Sequence, residues 1–227
     1  MRSGTAPAHR RERPAPLAGW LVLVGVMIAL AYVSRATGGK PDPQVLYKWS
    51  TAVGGLVQDS IILAIVLWLS RRDRSLLALR RPGSMRTAGK LLGLAIVGIY
   101  IFEVAYSTLA HPGNEQGLTP AHWEPAHAAA YAANGIVICT FIPFVEELTF
   151  RGLGYSVLEP FGRWPAIVAI GILFGLAHGL IVSLPVIAVL GSLLAWIRSR
   201  TDSVYPGMLL HSSFNLVALI AAVTING

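Results

Sequence analysis

The sequence predicts an all-α protein, a polytopic transmembrane helix bundle of about seven helices with its N-terminus in the cytoplasm. Hydrophobic residues make up 54% of the 227 residues and charged residues only 13%, and the mean hydropathy is +0.61. An average globular chain carries roughly 25% charged residues, so about half of the usual polar surface is missing. Lipid is the solvent that suits such a surface. The length is enough for a single domain of ordinary size.

The formal net charge of +7 comes from arginines and lysines that lie between the apolar runs. Basic residues in this position anchor helices at a membrane surface, so we predict the lipid bilayer as their partner and no nucleic acid. The single cysteine, Cys139, excludes an intramolecular disulfide and any multi-cysteine metal site.

Residues 1–16 contain four arginines and three prolines and are predicted to be a disordered basic leader. Residues 17–125 should then hold three transmembrane helices and a basic cytoplasmic loop. We interpret the first apolar run as a retained anchor and not a signal peptide, because Val33–Ala36 is a poor small-residue cleavage site. The apolar runs are Leu17–Val33, Ala52–Leu69 and Leu91–Ala110.

The loops between these runs differ in charge. The loop after the second run is strongly basic, with Arg71, Arg72, Arg74, Arg80, Arg81, Arg86 and Lys90, whereas His111–Pro125 has no Lys or Arg. Under the positive-inside rule, the N-terminus and the basic loop are cytoplasmic and His111–Pro125 lies on the opposite side.

Residues 126–227 should form the functional helix bundle. A fourth helix enters near Ala126, and Val204–Ile225 is the last span. Between them, Pro165–Ile197 is an almost uninterrupted apolar stretch of 33 residues, which as one helix would be ~50 Å long. Because the hydrocarbon core is ~30 Å thick, this stretch must fold back, most naturally between Gly179 and Pro185.

Three polar clusters interrupt these last spans. They are Glu146-Glu147-x-x-x-Arg151, Phe174-x-x-x-His178 and His211-x-x-x-Asn215. Charged groups inside a membrane are costly, so they are by default candidates for a functional site. On a helix, Glu147 and Arg151 are spaced to pair with each other, which leaves Glu146 free to face the bundle interior. His211 and Asn215 have the same spacing and can reach one small volume.

The three clusters can meet only if they lie at the same depth. Counting 1.5 Å per residue from the nearest predicted helix ends places His178 ~20 Å and His211 ~15 Å into the membrane. Glu146 reaches a similar depth only if the fourth helix continues past Arg151 to Leu158. We therefore predict this continuation, with all three clusters near the middle of the membrane on its cytoplasmic half.

Such a site suits the hydrolysis of a peptide bond. Glu146 would be the general base that accepts a proton from water, and a histidine would pass that proton to the leaving amine. The second histidine and Asn215 would donate hydrogen bonds to the oxyanion. Alternatively, Glu146, His178 and His211 could be three protein ligands of a zinc ion, with water as the fourth. The residues leave both mechanisms open.

In this order on consecutive apolar helices, the three clusters resemble the CAAX-protease and bacteriocin-processing (CPBP, or Abi) family of intramembrane proteases. The Glu-Glu-x-x-x-Arg, Phe-x-x-x-His and His-x-x-x-Asn/Asp motifs of that family are all matched without substitution. The resemblance covers residues 126–223, and the first three helices are not diagnostic. It implies a membrane endopeptidase with Glu146 as the base and both histidines at the site.

The resemblance also implies a membrane-associated peptide or protein substrate, in some members a prenylated one, and a bacterial plasma membrane as the location. The site would then be accessible from the cytoplasmic side. Members have been described both as metalloproteases and as metal-independent glutamate enzymes, so zinc stays open as a cofactor. A non-catalytic membrane immunity or interaction protein on the same scaffold is the alternative. A proton-relaying transporter is a third hypothesis, weakened because the chain lacks two similar halves.

Two intramembrane acids, Asp59 and Glu103, lie outside the motifs. We predict structural pairing for them, with an arginine near a helix end as the candidate partner, and a position in the lining of the substrate cavity as the alternative. We interpret His111, His122 and His127 as ordinary residues in or beside an outer loop, and Phe150 and Phe174 as packing residues.

Overall fold

The computed structural model describes residues 14–39, 42–111, 115, 118, 120 and 122–224, and within these ranges it confirms an all-helical bundle without β-strands. Six of its seven main helices are long and apolar enough to cross a membrane, and α5 is a shorter apolar helix of 15 residues. The helices are α1 Pro14–Thr37, α2 Trp49–Leu69, α3 Met85–Ala110, α4 Pro125–Phe161, α5 Arg163–Ala177, α6 Leu184–Thr201 and α7 Tyr205–Thr224.

Helix α1 begins at Pro14, three residues before the predicted start of the first span. Proline is compatible with the first turn of a helix, because the N–H groups there have no partner within the helix. The last three residues of the predicted leader are therefore helical, which corrects its boundary. Residues 1–13 lie outside the described residues.

Helix α4 runs without a break for 37 residues, from Pro125 to Phe161, so the predicted continuation past Arg151 is confirmed. It is not a uniform α-helix, because Val137–Phe141 and Glu147–Gly154 are wound as π-helix. Such π turns inside an α-helix are uncommon and occur frequently at functional sites. The second one carries Glu147 and Arg151.

Helices α5 and α6 form the predicted hairpin, and the turn at residues 178–183 contains Gly179 at φ +65°. The two helices pack closely because small residues face each other. A Cβ atom added at Gly171 would lie 1.9 Å from Ser192 Oγ. Small residues at membrane helix interfaces let the backbones approach in this way.

The loops gather at two ends of the bundle. At one end, the basic loop before α3 meets the turn between α6 and α7, where the Val204 N–H donates to the Ala78 carbonyl oxygen at 3.2 Å. At the other end, Glu115 accepts backbone hydrogen bonds from Ile181, Val182 and Ser183 at 3.0, 3.2 and 2.7 Å. Arg35 at the end of α1 contacts the same carboxylate at 2.9 Å. The turn after His178 is thus held in place by Glu115.

We expect Glu115→Gln to lower stability by about 1–3 kcal/mol at neutral pH, because the charge-assisted hydrogen bonds are lost. Burial raises the pKa of Glu115, but the backbone hydrogen bonds from Ser183, Ile181 and Val182 outweigh it and lower the pKa from 4.5 to about 2. A folded-state pKa below the unfolded value stabilises the protein above pH 4.5 and ceases to do so as the pH falls towards 2. Thermal unfolding in detergent from pH 7 to pH 3 should therefore show the difference between wild type and variant shrinking below pH 4.5. A difference that is constant with pH would contradict this role of the charge.

Candidate active site

Glu146 of α4 lies between the two histidines of the motifs. Its Oε1 is 3.9 Å from Nε2 of His178, at the end of α5, and its Oε2 is 3.4 Å from Nε2 of His211 on α7. The side chains of Glu146 and His178 are 16% and 22% exposed, and that of His211 only 3%. Three helices thus bring together three of the four residues that the sequence predicts to be catalytic, and two of these three remain accessible.

The other ring nitrogens determine which tautomer each histidine adopts. Nδ1 of His178 lies 2.7 Å from the carbonyl oxygen of Phe174, and Nδ1 of His211 lies 3.1 Å from Oε1 of Glu147. A carbonyl oxygen and an ionised carboxylate only accept hydrogen bonds, so both Nδ1 atoms carry a hydrogen. In the neutral rings, both Nε2 atoms would therefore direct a lone pair towards Glu146.

Three acceptors facing one another repel unless a proton is shared between them. Either Glu146 or one of the histidines must hold this proton, or a hydrogen-bond donor must lie between them. A cluster that stores one mobile proton is suited to general acid–base chemistry.

Glu147 and Arg151 form an ion pair that is fully buried, with Oε1 2.9 Å from Nη1 and both side chains 0% exposed. Nη2 of Arg151 donates to the Gly191 carbonyl oxygen at 3.2 Å, and the guanidinium lies 4.1 Å from the ring centroid of Phe174. Charges so deeply buried are tolerated only when they are paired and hydrogen-bonded. The pair links α4 to α5 and α6.

The contact of Glu147 with His211 is not predicted by the sequence motifs. Oε1 of Glu147 is shared between Arg151 and Nδ1 of His211, which lies on a different helix. The close approach requires Gly207, since a Cβ atom there would lie 2.6 Å from Oε2 of Glu147. Gly207 is four residues before His211, and this small residue at helical spacing was the available sequence signal.

Phe174 is the aromatic centre of the site and more than a packing residue. Its buried ring meets the rings of His178, His211 and Phe150 in edge-to-face contacts, at centroid distances of 4.7, 5.6 and 5.2 Å. Because the same ring also lies under Arg151, it fixes both histidines relative to the ion pair. The spacing of four residues between Phe174 and His178 made this contact predictable.

The side-chain amide of Asn215 donates to the Ile138 carbonyl oxygen at 2.9 Å, and no side-chain hydrogen bond among the described residues joins it to Glu146 or to either motif histidine. In π-helix register the N–H of residue 143 would bond to this carbonyl, but Pro143 has no N–H. Asn215 supplies the missing donor from the neighbouring helix. One of its two amide hydrogens is used here, and a role at the oxyanion stays a prediction.

Zinc would need His nitrogen and carboxylate oxygen atoms at about 2.0–2.2 Å. Among the described residues, no group of three or more His, Cys, Asp or Glu side chains is placed to hold a metal ion. The zinc alternative, with Glu146, His178 and His211 as ligands, stays a prediction for metal analysis to test.

The other two intramembrane acids, Asp59 and Glu103, do not form the predicted ion pairs with arginine among the described residues. Asp59 on α2 is only 4% exposed, and the charged group that acts on it is Glu146 and not an arginine. Its predicted arginine partner is not found among the described residues. Glu103 on α3 is half-buried beside Tyr100.

His122 and His127 lie at the opposite end of the bundle from the basic loop, 3.2 and 2.9 Å from Glu124. His111 ends α3 in the left-handed conformation, at φ +47°. All three histidines are loop or helix-end residues, as the sequence predicts. The single cysteine, Cys139, is a half-buried free thiol.

A known protein family matches the part of the chain that contains the three motifs. Residues 128–217 match the family model described as type II CAAX prenyl endopeptidase Rce1-like. This segment contains all three motifs, and the match confirms the family resemblance that they predict. No curated protein and no solved structure matched the chain.

Proposed function

We propose, from the Rce1-like family match and the geometry of the site, that the protein is an intramembrane endopeptidase that hydrolyses peptide bonds with a glutamate-activated water. The observation that carries this proposal is the position of the Glu146 carboxylate between Nε2 of His178 and Nε2 of His211. The family is one of membrane proteases, and six helices are long and apolar enough to cross a membrane.

The first step is the activation of water by Glu146 and His178. Their facing atoms are 3.9 Å apart, and one water molecule that bonds to each at about 2.8 Å fits this separation. As the water oxygen attacks the carbonyl carbon of the substrate, a proton passes to the cluster. His178 returns a proton to the nitrogen of the leaving amine when the peptide bond breaks.

His211 is the proposed donor to the oxyanion. Its Nδ1–H is fixed on Glu147, so its Nε2 can point a second hydrogen at developing negative charge only when the ring is positive. The buried carboxylate of Glu147 stabilises that positive charge, and a preorganised donor of this kind lowers the energy of the tetrahedral intermediate. Asn215, one turn further along α7, has a second amide hydrogen for the same purpose.

The proposed substrate is a membrane-associated peptide or protein, prenylated or otherwise lipidated, that reaches the site from the cytoplasmic side of a bacterial plasma membrane. Glu146 and His178 are the accessible members of the site, so the scissile bond would approach over these two side chains. The basic loop and the N-terminal end of α1 lie at the same end of the bundle, which agrees with the charge distribution expected of a cytoplasmic face. Since the turn after His178 lies at the other end, a substrate from the cytoplasmic side would have to enter between the helices.

Cleavage of a prenylated peptide by the full chain in liposomes tests the proposal. We expect His178→Ala to lower the rate about 10²–10⁴-fold, the range that general acid–base catalysis contributes. His122→Ala is the matched control, because it removes a histidine at the far end of the bundle. Equal rates in wild type and His178→Ala would remove that residue from the mechanism, and absence of cleavage by the wild type would favour the non-catalytic alternative. Loss of activity with a chelator, restored by zinc, would overturn the metal-independent step.

A further inference from the structure

An open cavity of about 420 Å³ lies at the surface of the basic end of the bundle, and none of its lining residues belongs to the Glu146 site. Two stretches of chain more than a hundred residues apart form its walls: the start of α3 with the loop before it, and the end of α6. Its lining residues are Arg80, Arg81, Gly83, Ser84, Thr87, Arg200, Thr201 and Asp202.

The walls are held together by contacts of Arg80 and Asp202. Nε of Arg80 donates to the Asp202 carbonyl oxygen at 2.8 Å, and Nη2 lies 2.7 Å from Oδ2 of the same residue. The other oxygen of Asp202 accepts from Nη1 of Arg198 at 2.7 Å. The cavity is therefore a defined feature of the fold, and both oxygens of its one carboxylate are already paired with arginines.

Two further arginines of the lining are not neutralised. Within the part of the chain that the structure describes, no acidic side chain lies within ion-pair distance of Arg81 or Arg200. With Arg80 and Asp202 cancelling each other, the lining carries a net charge of about +2. Burial raises the pKa of Asp202, but the hydrogen bond from Arg80 and the charge of Arg198 outweigh it and keep the pKa below its usual value. The carboxylate is thus ionised at neutral pH and the pairing is maintained.

The N-terminus of α3 borders the cavity through Ser84 and Thr87. Ser84 is the N-cap, and its hydroxyl accepts from the Thr87 N–H at 3.2 Å. The other N–H groups of the first turn have no partner within the helix, and their dipoles favour an anion. Phosphate groups bind readily where such donors and arginines converge.

We propose that this cavity binds the phosphate group of an anionic phospholipid headgroup. Its place in the fold selects the ligand, because α3 and α6 are membrane-spanning helices and the cavity lies where their ends leave the apolar layer. Basic pockets between transmembrane helices recognise anionic headgroups by this combination of charge and depth. A phosphate compound dissolved in water has the same chemistry and is the other source of the group.

The positive-inside rule explains why the loop is rich in arginine, but it does not require several of these arginines to line one cavity. Arg72 and Arg74 show the difference. They belong to the same basic loop and carry the same charge, yet they do not line the cavity. They provide a control with equal loss of charge.

The test is the binding of a short-chain phosphatidylglycerol to the full chain in detergent, measured by native mass spectrometry and by the shift of the unfolding temperature. We expect Arg81→Gln with Arg200→Gln to weaken binding at least about tenfold. Arg72→Gln with Arg74→Gln should change it by less than about threefold. Binding is measured without any substrate, so the result does not depend on the proposed protease activity.

A second arm replaces the lipid with inorganic phosphate, and a third replaces it with the zwitterionic phosphatidylcholine. Tighter binding of phosphatidylglycerol than of either supports a lipid headgroup as the ligand. Phosphate that binds as tightly as the lipid would overturn the lipid source in favour of a soluble phosphate compound. Equal weakening in both pairs of variants, or equal binding of both lipids, would overturn the site itself.

Discussion

Glu146→Gln lowers the rate of peptide cleavage about 10²–10⁴-fold and leaves the protein folded, if Glu146 is the general base. The amide has nearly the shape of the carboxylate but cannot accept the proton of water. His178 and His211 would keep their Nδ1 hydrogen bonds to Phe174 and Glu147, since neither bond involves Glu146. The loss should therefore be confined to catalysis, and kcat in liposomes is the quantity to measure.

Glu103→Gln is the matched control for this variant. Glu103 is also an intramembrane glutamate, but it lies on α3, and among the described residues no hydrogen bond or ion pair joins it to a motif residue. Its substitution should leave kcat within about threefold of the wild-type value. If the two variants lose activity to the same extent, the effect is one of general membrane electrostatics and Glu146 is not the base.

The sequence predicts the parts of the structure that depend on the length of a helix and on the depth of a residue in the membrane. The continuation of α4 past Arg151 followed from matching the depth of Glu146 to that of His178 and His211, and the helix does reach Phe161. The hairpin of α5 and α6 followed from a stretch of 33 apolar residues that is too long for one crossing. Both predictions used only the rise per residue and the thickness of the membrane.

The parts that could not be predicted depend on how helices pack against each other. Helical spacing within α4 pairs Glu147 with Arg151, but it contains no information on the rotation of α7, which brings His211 to the same carboxylate. In the same way, Pro143 indicates a lost hydrogen bond, while only the packing shows that Asn215 donates in its place. The prediction of an arginine partner for Asp59 was wrong for the same reason. The rotation of α2, which the sequence does not give, places the Asp59 side chain near Glu146.

Glu147→Gln should lower the stability of the protein by about 3–5 kcal/mol, the cost of removing one partner from a buried ion pair. Arg151 would keep only neutral partners for its positive charge, namely the glutamine amide oxygen, the Gly191 carbonyl oxygen and the face of Phe174, in a position that is 0% exposed. Unfolding in detergent with increasing denaturant measures the loss. Asp42→Asn is the control, because Asp42 and Lys48 form an ion pair in which both side chains are exposed, at 43% and 53%. An exposed pair of this kind contributes about 0–1 kcal/mol, so equal losses in both variants would contradict the assignment of a buried pair.

The double variant Glu147→Gln with Arg151→Met separates the two roles of Glu147. Replacing both members of a buried ion pair with groups of similar volume that carry no charge is often neutral for stability, so most of the loss should be recovered. Activity should not be recovered, because the positive charge of the His211 ring loses its buried carboxylate. Recovery of both stability and activity would mean that Glu147 only neutralises Arg151. Recovery of stability alone would make Glu147 a positioning residue for His211, since the ion pair would then be dispensable for folding while the carboxylate is still needed for cleavage.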